Sequence, residues 1–227
     1  MNGIKGFIFD MDGVLTETSE NHYLAWKDLA SSIDIEIDSS INEKLKGVSR
    51  KDSLEVILRH GHKENMYSEE EKKEFTELKN NRYLEMINSF DENNLFPGVL
   101  ELFKELKRRG IKIAIASASE SAAKLVELMK IGSFIDFIAD PRKVPGKPNP
   151  DIFIQAANGL ELKPKECVGV EDAIAGIEAI KSAGMLAVGI GSREQLQDAD
   201  LIYQQTGQLD IEEISKFFEG LEEQSND

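Results

Sequence analysis

Two carboxylates lie at the end of a short apolar segment near the start of the chain. Residues 7–11 contain four apolar side chains, and Asp10 and Asp12 lie at the end of this segment with Gly13 after them. The apolar residues predict a buried strand, and glycine allows the backbone to turn sharply where it ends. Side chains two apart on a strand point to the same side. Two negative charges held together are costly unless a cation or a proton lies between them. One carboxylate is ordinary in a polar turn, but the pair favours a site that holds a cation or a proton.

Other polar residues follow other predicted strands. Ser117 follows one strand, the pair Glu171 and Asp172 follows another, and Lys147 lies in a proline-containing loop. Each has an ordinary explanation by itself, because serine and aspartate often cap helices and a loop lysine is usually solvated. Function gathers at the carboxyl ends of parallel strands. The four residues together with the first carboxylate pair therefore predict one site.

The second part of the chain alternates between helix-like and strand-like segments. Helices are predicted over 97–109, 121–130, 152–158 and 173–183, and strands over 111–116, 134–139, 167–170 and 185–190. Such alternation indicates a parallel sheet with helices on both faces. The predicted fold class is α/β, a Rossmann-like parallel sheet core.

The segment between the first strand and this region has a different character. It contains no convincing strand, is highly charged, and has helix-like stretches near 19–33, 40–46, 50–60 and 68–89. We expect an inserted small all-helical cap domain over 16–92, with residues 1–15 and 93–227 forming the core domain. The chain passes between the two near residues 15–18 and 92–96, which would form the hinge.

Composition narrows the class of protein. The 227 residues carry a formal net charge of −15, which argues against nucleic acid or an anionic membrane as a partner. No apolar run approaches the roughly 20 residues of a membrane helix, and the N-terminus lacks a signal-peptide pattern. Cys167 is the single cysteine and lies in an apolar run, so we expect a core thiol and a cytoplasmic protein without disulfides. A monomer is the expected state.

The segment D-M-D-G-V from Asp10 to Val14, with the threonines behind it, resembles the first signature of the haloacid dehalogenase superfamily of phosphoryl-transfer enzymes. The resemblance covers essentially the whole chain. It implies that Asp10 attacks phosphorus to form an aspartyl-phosphate and that Asp12 is a general acid and base. It also implies Mg²⁺ as cofactor, with the ligands Asp10, Asp12 (through its backbone carbonyl), Glu171 and Asp172. The residues expected to hold the transferring phosphoryl group are Ser117, Ala118 and Lys147.

The predicted cap contains a second group of candidate residues. His22 and Trp26 are four apart and share a helix face, although Trp26 alone is more often a core residue and His22 alone an ordinary, partly buried histidine. Residues 45–50, L-K-G-V-S-R, place two cations, a glycine and a hydroxyl at a helix junction. Arg50 opposes the helix dipole there, so anion binding explains it better, because arginine binds phosphate bidentately. For Lys79 a solvated helix face remains the more ordinary interpretation.

This cap pattern is similar to that of the hexose-phosphate mutases of the superfamily. The resemblance implies that Arg50 and Ser119 hold a second phosphate and that Thr18 belongs to the hinge. The substrate-binding residues implied are His22, Trp26, Lys46, Gly47, Val48, Ser49, Ser53 and Lys79.

The resemblance has one departure. After Ser119 the family usually has a basic residue and an asparagine, whereas this chain has Glu120 and Ser121. A carboxylate beside a phosphate is repulsive, so Glu120 must point away, be neutralised or mark an altered substrate.

Three functions are considered. The resemblance implies first a mutase that acts on a phosphorylated hexose, interconverting β-glucose 1-phosphate and glucose 6-phosphate through a bisphosphate. The alternative is a Mg²⁺-dependent sugar-phosphate phosphatase on the same fold. A binding module without activity is disfavoured, because all the predicted catalytic strand ends are intact.

Overall fold

The computed structural model describes residues 3–45 and 48–224. Six parallel strands within these ranges form one sheet in the order β3-β2-β1-β4-β5-β6. Their bounds are β1 Gly6–Phe9, β2 Lys112–Ile115, β3 Phe137–Ile138, β4 Cys167–Glu171, β5 Leu186–Ile190 and β6 Leu201–Tyr203. β1 lies between β2 and β4, and its last residue Phe9 pairs with Ile115 on one side and Val170 on the other. The chain therefore adds β2 and β3 on one side of β1 and then β4, β5 and β6 on the other, so the strand order reverses at β1. A crevice forms at the carboxyl ends of the strands where the order reverses.

Helices connect and cover these strands. In the described ranges they are α1 Ser19–Ser32, α2 Ser39–Glu43, α3 Arg50–His60, α4 Glu69–Ile87, α5 Val99–Arg108, α6 Ala122–Leu128, α7 Asp151–Gly159, α8 Ile174–Ser182 and α9 Ile211–Gln224. The first four are inserted between β1 and the rest of the sheet, as expected for a helical cap. None of the helices described is long and apolar enough to cross a membrane.

The insertion has a hydrophobic cluster of its own. It is built from α1, α3 and the segments around them, with Trp26, Leu54 and Ile57 among its buried members. Local sequence sets the helix starts: Ser68 and Glu71 form a reciprocal capping box at the start of α4, which satisfies amide groups that would otherwise lack partners. The domain boundaries stay a prediction, because Tyr83 of α4 packs in the same cluster as the sheet.

β1 is buried on both faces of the sheet. Phe7 and Phe9 belong to one hydrophobic cluster and Ile8 to the other, as the alternation of side chains along a strand requires. α5 covers the first of these faces, and the Phe103 ring of this helix lies 5.3 Å from the Phe9 ring. This packing holds the strand that leads directly into the site.

We expect Phe103→Ala to lower the free energy of unfolding by about 3–5 kcal/mol, because it leaves a cavity beside β1. Urea denaturation followed by circular dichroism measures the change. Lys104→Ala is the matched control on the same helix, where an exposed side chain should matter by less than about 0.5 kcal/mol. Equal stabilities of the two variants would contradict this role for Phe103.

Several predicted bounds were wrong. The N-terminal strand ends at Phe9 and does not continue to residue 11, since the backbone turns after Asp10. The strand predicted over 134–139 is only two residues long, because a 3₁₀ turn occupies its start. Glu171 is the last residue of β4 and does not follow the strand. β6 and α9 were not predicted.

Candidate active site

The ends of the three central strands bring the predicted residues together. Asp10 follows β1, and its amide donates a hydrogen bond to the Val170 carbonyl of β4 at 3.0 Å. On the other side the Ala116 amide donates to the Phe9 carbonyl at 2.8 Å, which places Ser117 next to the same edge. Ser117 is buried, and its hydroxyl accepts a hydrogen bond from the Ser119 amide at 3.0 Å.

Lys147 links two of the carboxylates. Its Nζ donates to Asp10 Oδ1 at 2.6 Å and to Glu171 Oε2 at 2.7 Å, and its side chain is 1% exposed. Burial alone lowers the pKa of Lys147, but the two carboxylates outweigh burial and hold the pKa above its ordinary value. The lysine is therefore a fixed positive charge beside Asp10.

Three carboxylates converge closely enough to share a cation. Asp10, Glu171 and Asp172 each offer an oxygen within 4.8 Å of the others. Burial first, and then the charge of Asp10, raise the pKa of Glu171 to about 8 and that of Asp172 to about 7. The carboxylates are more numerous than Lys147 can balance, so their chemistry fits a divalent cation bound by oxygen ligands.

Gly13 makes this approach of the chain possible. Its φ is +78°, and a Cβ at this position would overlap the Asp172 carboxylate. Only glycine tolerates both conditions, so the turn after Asp12 passes directly beside the end of β4.

Asp12 faces the helical insertion. Its amide donates to Asp10 Oδ2 at 3.1 Å, so the two aspartates hold each other in place. Its own Oδ2 lies 3.7 Å from His22 Nε2 of α1. Its Oδ1 is buried and has no hydrogen-bond partner in the described part of the chain. Burial first, and then the charge of Asp10, raise the pKa of Asp12 to about 8. One carboxylate oxygen is thus available to a hydroxyl that enters the cleft.

Lys79 is buried, so the solvated interpretation of this residue was wrong. It is 3% exposed, its Nζ lies 2.6 Å from His22 Nδ1, and it lies over the rings of Trp26 and Tyr83 at 4.9 and 5.1 Å. Burial first, and then Arg50, lower the pKa of Lys79 to about 7. Tyr83, which the sequence analysis missed, stacks on His22 with 3.9 Å between ring centroids.

Arg50 begins α3 and reaches the same cleft. Its Nη2 donates to Asn80 Oδ1 at 2.8 Å, and its Nη1 lies 3.5 Å from Glu120 Oε2. Ser49 caps α3 by accepting a hydrogen bond from the Asp52 amide at 3.2 Å. The proposed role of Ser49 as a substrate ligand therefore competes with a structural one.

One cleft between the strand ends of the core and the inserted helices unites most of these groups. Predicted residues that line it are Asp10, Asp12, His22, Trp26, Val48, Arg50, Ser53, Lys79, Ala118, Ser119, Glu171 and Asp172. Ser19, Asn42 and Asn80 also line it and were not among the predicted site residues. Lys46 and Gly47 lie outside the described residues.

The predicted hinge passes beside the cleft. Thr18 precedes α1 and is buried, and its hydroxyl has no hydrogen-bond partner in the ranges described. The two chain crossings contact each other: Thr16 Oγ1 donates to the Asn94 carbonyl at 2.6 Å, and the Phe96 amide donates to the Leu15 carbonyl at 2.8 Å. Thr18 as a hinge residue stays a prediction.

Known proteins resemble the chain over most of its length. Residues 4–184 match the haloacid dehalogenase-like hydrolase family. The chain is 45% identical over 217 residues to beta-phosphoglucomutase of Bacillus subtilis strain 168, covering 95% of this chain and 96% of the relative. It is 29% identical over 193 residues to the phosphorylated carbohydrates phosphatase of Thermotoga maritima, covering 80% and 82% of the two chains.

A solved structure agrees with the fold. The crystal structure of beta-phosphoglucomutase from Clostridium difficile superposes with a TM-score of 0.94 at 44% identity, covering 96% of this chain and 98% of that one. The match with the family over residues 4–184, the relatives and the geometry of the strand ends agree, and the chain belongs to the haloacid dehalogenase-like hydrolase family.

Proposed function

We propose that the protein interconverts β-glucose 1-phosphate and glucose 6-phosphate through an aspartyl-phosphate and β-glucose 1,6-bisphosphate. One observation carries the proposal most directly: a single cleft is lined both by the carboxylate cluster of the core and by Arg50 of the helical insertion. A substrate with a phosphate at each end needs two such places. The 45% identity to a beta-phosphoglucomutase over nearly the full length supports the same function.

Asp10 is the proposed nucleophile. An oxygen of its carboxylate attacks phosphorus, the bond from phosphorus to the donor oxygen breaks, and an aspartyl-phosphate forms. Lys147, held at 2.6 Å from Asp10, neutralises charge on the transferring group, which is the main requirement of phosphoryl transfer. Ser117, Ala118 and Ser119 would add hydrogen bonds to its oxygens.

Asp12 is the proposed acid and base. It donates a proton to the sugar oxygen that leaves phosphorus and removes a proton from the sugar hydroxyl that attacks in the next step. Its buried Oδ1 has no partner among the described residues, which leaves it free for this exchange. His22, Trp26, Ser53 and Lys79 would orient the sugar.

We propose Mg²⁺ as the divalent ion, held by Asp10, Glu171, Asp172 and the Asp12 carbonyl, because hard cations prefer carboxylate and phosphate oxygens. When bound, it neutralises charge on the phosphoryl oxygens. A cytoplasmic monomer that binds neither nucleic acid nor membrane stays a prediction from composition.

The second candidate is a sugar-phosphate phosphatase, in which water takes the phosphoryl group from Asp10. The fold permits this reaction, and a phosphatase of phosphorylated carbohydrates is among the relatives. The mutase requires water to be excluded and the distal phosphate to be held, and Arg50 in the cleft favours it. Formation of glucose 6-phosphate from β-glucose 1-phosphate, measured beside phosphate release in the same mixture, separates the two. Phosphate release without glucose 6-phosphate would refute the mutase.

We expect Arg50→Ala to lower kcat/KM for the mutase reaction roughly 30- to 150-fold, which is the effect of losing about 2–3 kcal/mol from charged hydrogen bonds to phosphate. The distal phosphate holds the sugar in place for the chemical step, so its loss affects the rate as well as binding. Phosphorylation of Asp10 by acetyl phosphate, which has no distal group, should remain nearly unchanged.

Arg59→Ala is the matched control, since Arg59 is exposed in the last turn of the same helix. An equal loss with both phosphoryl donors would mean that Arg50 supports the fold. No loss with either donor would favour the phosphatase.

A further inference from the structure

Glu120 contacts the arginine that is proposed to bind the distal phosphate. It lies in the turn between β2 and α6, and its Oε2 is 3.5 Å from Arg50 Nη1. The two residues come from different parts of the fold, because Glu120 lies beyond the carboxyl end of β2 and Arg50 begins α3. Glu120 stands where the family usually has a basic residue, and its carboxylate is therefore neutralised by Arg50 across the cleft.

The two edges of the Arg50 guanidinium are held differently. Nη2 makes a hydrogen bond of 2.8 Å to Asn80 Oδ1, whereas Nη1 stands 3.5 Å from Glu120, beyond the usual hydrogen-bond distance. The Arg50 side chain is 18% exposed and the Glu120 side chain 36%. Asn80 thus fixes the direction of the guanidinium, and Glu120 holds the remaining edge loosely, by charge.

A second arginine also lies near Glu120 in the described part of the chain. Arg142 is close enough to Glu120 for the two charges to interact, but its guanidinium is engaged by Asp140, at 2.8 and 2.9 Å. A phosphate arriving at Arg50 must therefore compete with Glu120 for the edge that Asn80 leaves open.

We propose that Glu120 is a specificity-determining residue that occupies the outer edge of Arg50 until a distal phosphate displaces it. This inference rests on the proposed function, because it takes the displacing group to be the second phosphate of a sugar phosphate. Glu120 weakens the binding of ligands that carry such a phosphate and leaves phosphoryl transfer at Asp10 unaffected. In the interconversion the bisphosphate has to present first one phosphate and then the other to Asp10, so it must leave Arg50 between the two steps. A carboxylate that returns to the guanidinium assists this release.

The substitution Glu120→Gln tests the proposal, because it removes the charge and keeps the shape. We expect the Kd for glucose 6-phosphate, measured by calorimetry with Mg²⁺ present, to fall about 5-fold, the scale of a partly exposed ion pair. Glu127→Gln is the matched control: it removes the same charge from an exposed position on α6 and should leave this Kd unchanged. The rate at which acetyl phosphate phosphorylates Asp10 should be the same in all three proteins.

The contact with Arg50 is tested separately. In an Arg50→Ala background, Glu120→Gln should no longer change the Kd for glucose 6-phosphate, because the competition has been removed. Persistence of the 5-fold effect there would overturn the proposal, since Glu120 would then act through the general field of the site. Weaker binding by Glu120→Gln would also overturn it and show that Glu120 positions Arg50, and an unchanged Kd would show that Glu120 has no part in the site.

These outcomes are distinct from failure of the proposed function. A wild-type protein that forms no glucose 6-phosphate from β-glucose 1-phosphate refutes the mutase. The binding measurement needs no turnover, so a tighter Glu120→Gln complex would still support competition for Arg50 in a protein with another reaction.

Discussion

Replacing Asp10 with asparagine is expected to abolish phosphoryl transfer while leaving the fold intact. The amide has nearly the shape of the carboxylate, but it is a poor nucleophile and lacks the negative charge that Lys147 contacts at 2.6 Å. Loss of a covalent nucleophile lowers kcat on the order of 10⁶-fold in other enzymes. We expect a loss of this size for the mutase reaction and no detectable phosphorylation by acetyl phosphate.

Mass spectrometry of the intact protein after incubation with acetyl phosphate measures the covalent step, and a coupled assay measures glucose 6-phosphate. Asp198→Asn is the matched control, because Asp198 is exposed in the turn between β5 and β6. Unchanged thermal unfolding would show that the Asp10→Asn variant is folded. More than a trace of turnover with Mg²⁺ present would remove Asp10 from the role of nucleophile.

The position of the carboxylate cluster could be predicted from local sequence. A strand that is buried on both faces has a continuous run of apolar residues, and Phe7, Ile8 and Phe9 form such a run. Parallel strands end at one edge of a sheet, so residues that follow the strands are brought together whatever their separation in the chain. This rule predicts that Asp10, Asp12, Glu171 and Asp172 lie together, whereas their roles as metal ligands came from the resemblance to the haloacid dehalogenase superfamily.

The contacts of Lys147 could not be predicted in the same way. It lies 137 residues from Asp10 in sequence and in a loop, where no periodicity indicates the direction of a side chain. Only the assembled sheet shows that its Nζ bridges Asp10 and Glu171. The same is true of Glu120, whose partner Arg50 belongs to the inserted helices.

The burial of Lys79 could have been predicted from the spacing of residues along its helix. Lys79, Tyr83 and Ile87 are four residues apart along α4, so they share one face, and all three are buried. The many charged residues of this helix favoured a solvated interpretation. In α9 the buried residues Ile211, Ile214 and Phe218 also follow helical spacing, whereas the three half-buried residues of β6 are too few to show a pattern.

Replacing Asp12 with alanine is expected to lower mutase turnover by at least about 100-fold, the usual scale of general acid–base catalysis. Burial first, and then the charge of Asp10, raise the pKa of Asp12 to about 8, which lets the carboxyl group both donate and accept a proton near neutral pH. Its Oδ1 has no other partner in the described ranges, so the sugar oxygen would be the group it serves. The measurement is kcat with glucose bisphosphate as the phosphoryl donor.

The choice of phosphoryl donor distinguishes this role from a structural one. Acetate leaves phosphorus without needing a proton, so acetyl phosphate should still phosphorylate Asp10 in the Asp12→Ala variant, whereas transfer to and from a sugar hydroxyl should fail. Asp12→Asn, which keeps the shape and the amide hydrogen bond to Asp10 Oδ2 at 3.1 Å, should show the same split if the proton is what matters. Loss with both donors would mean that Asp12 holds Asp10 in place, and an unchanged kcat with glucose bisphosphate would show that proton transfer at the sugar oxygen does not depend on Asp12.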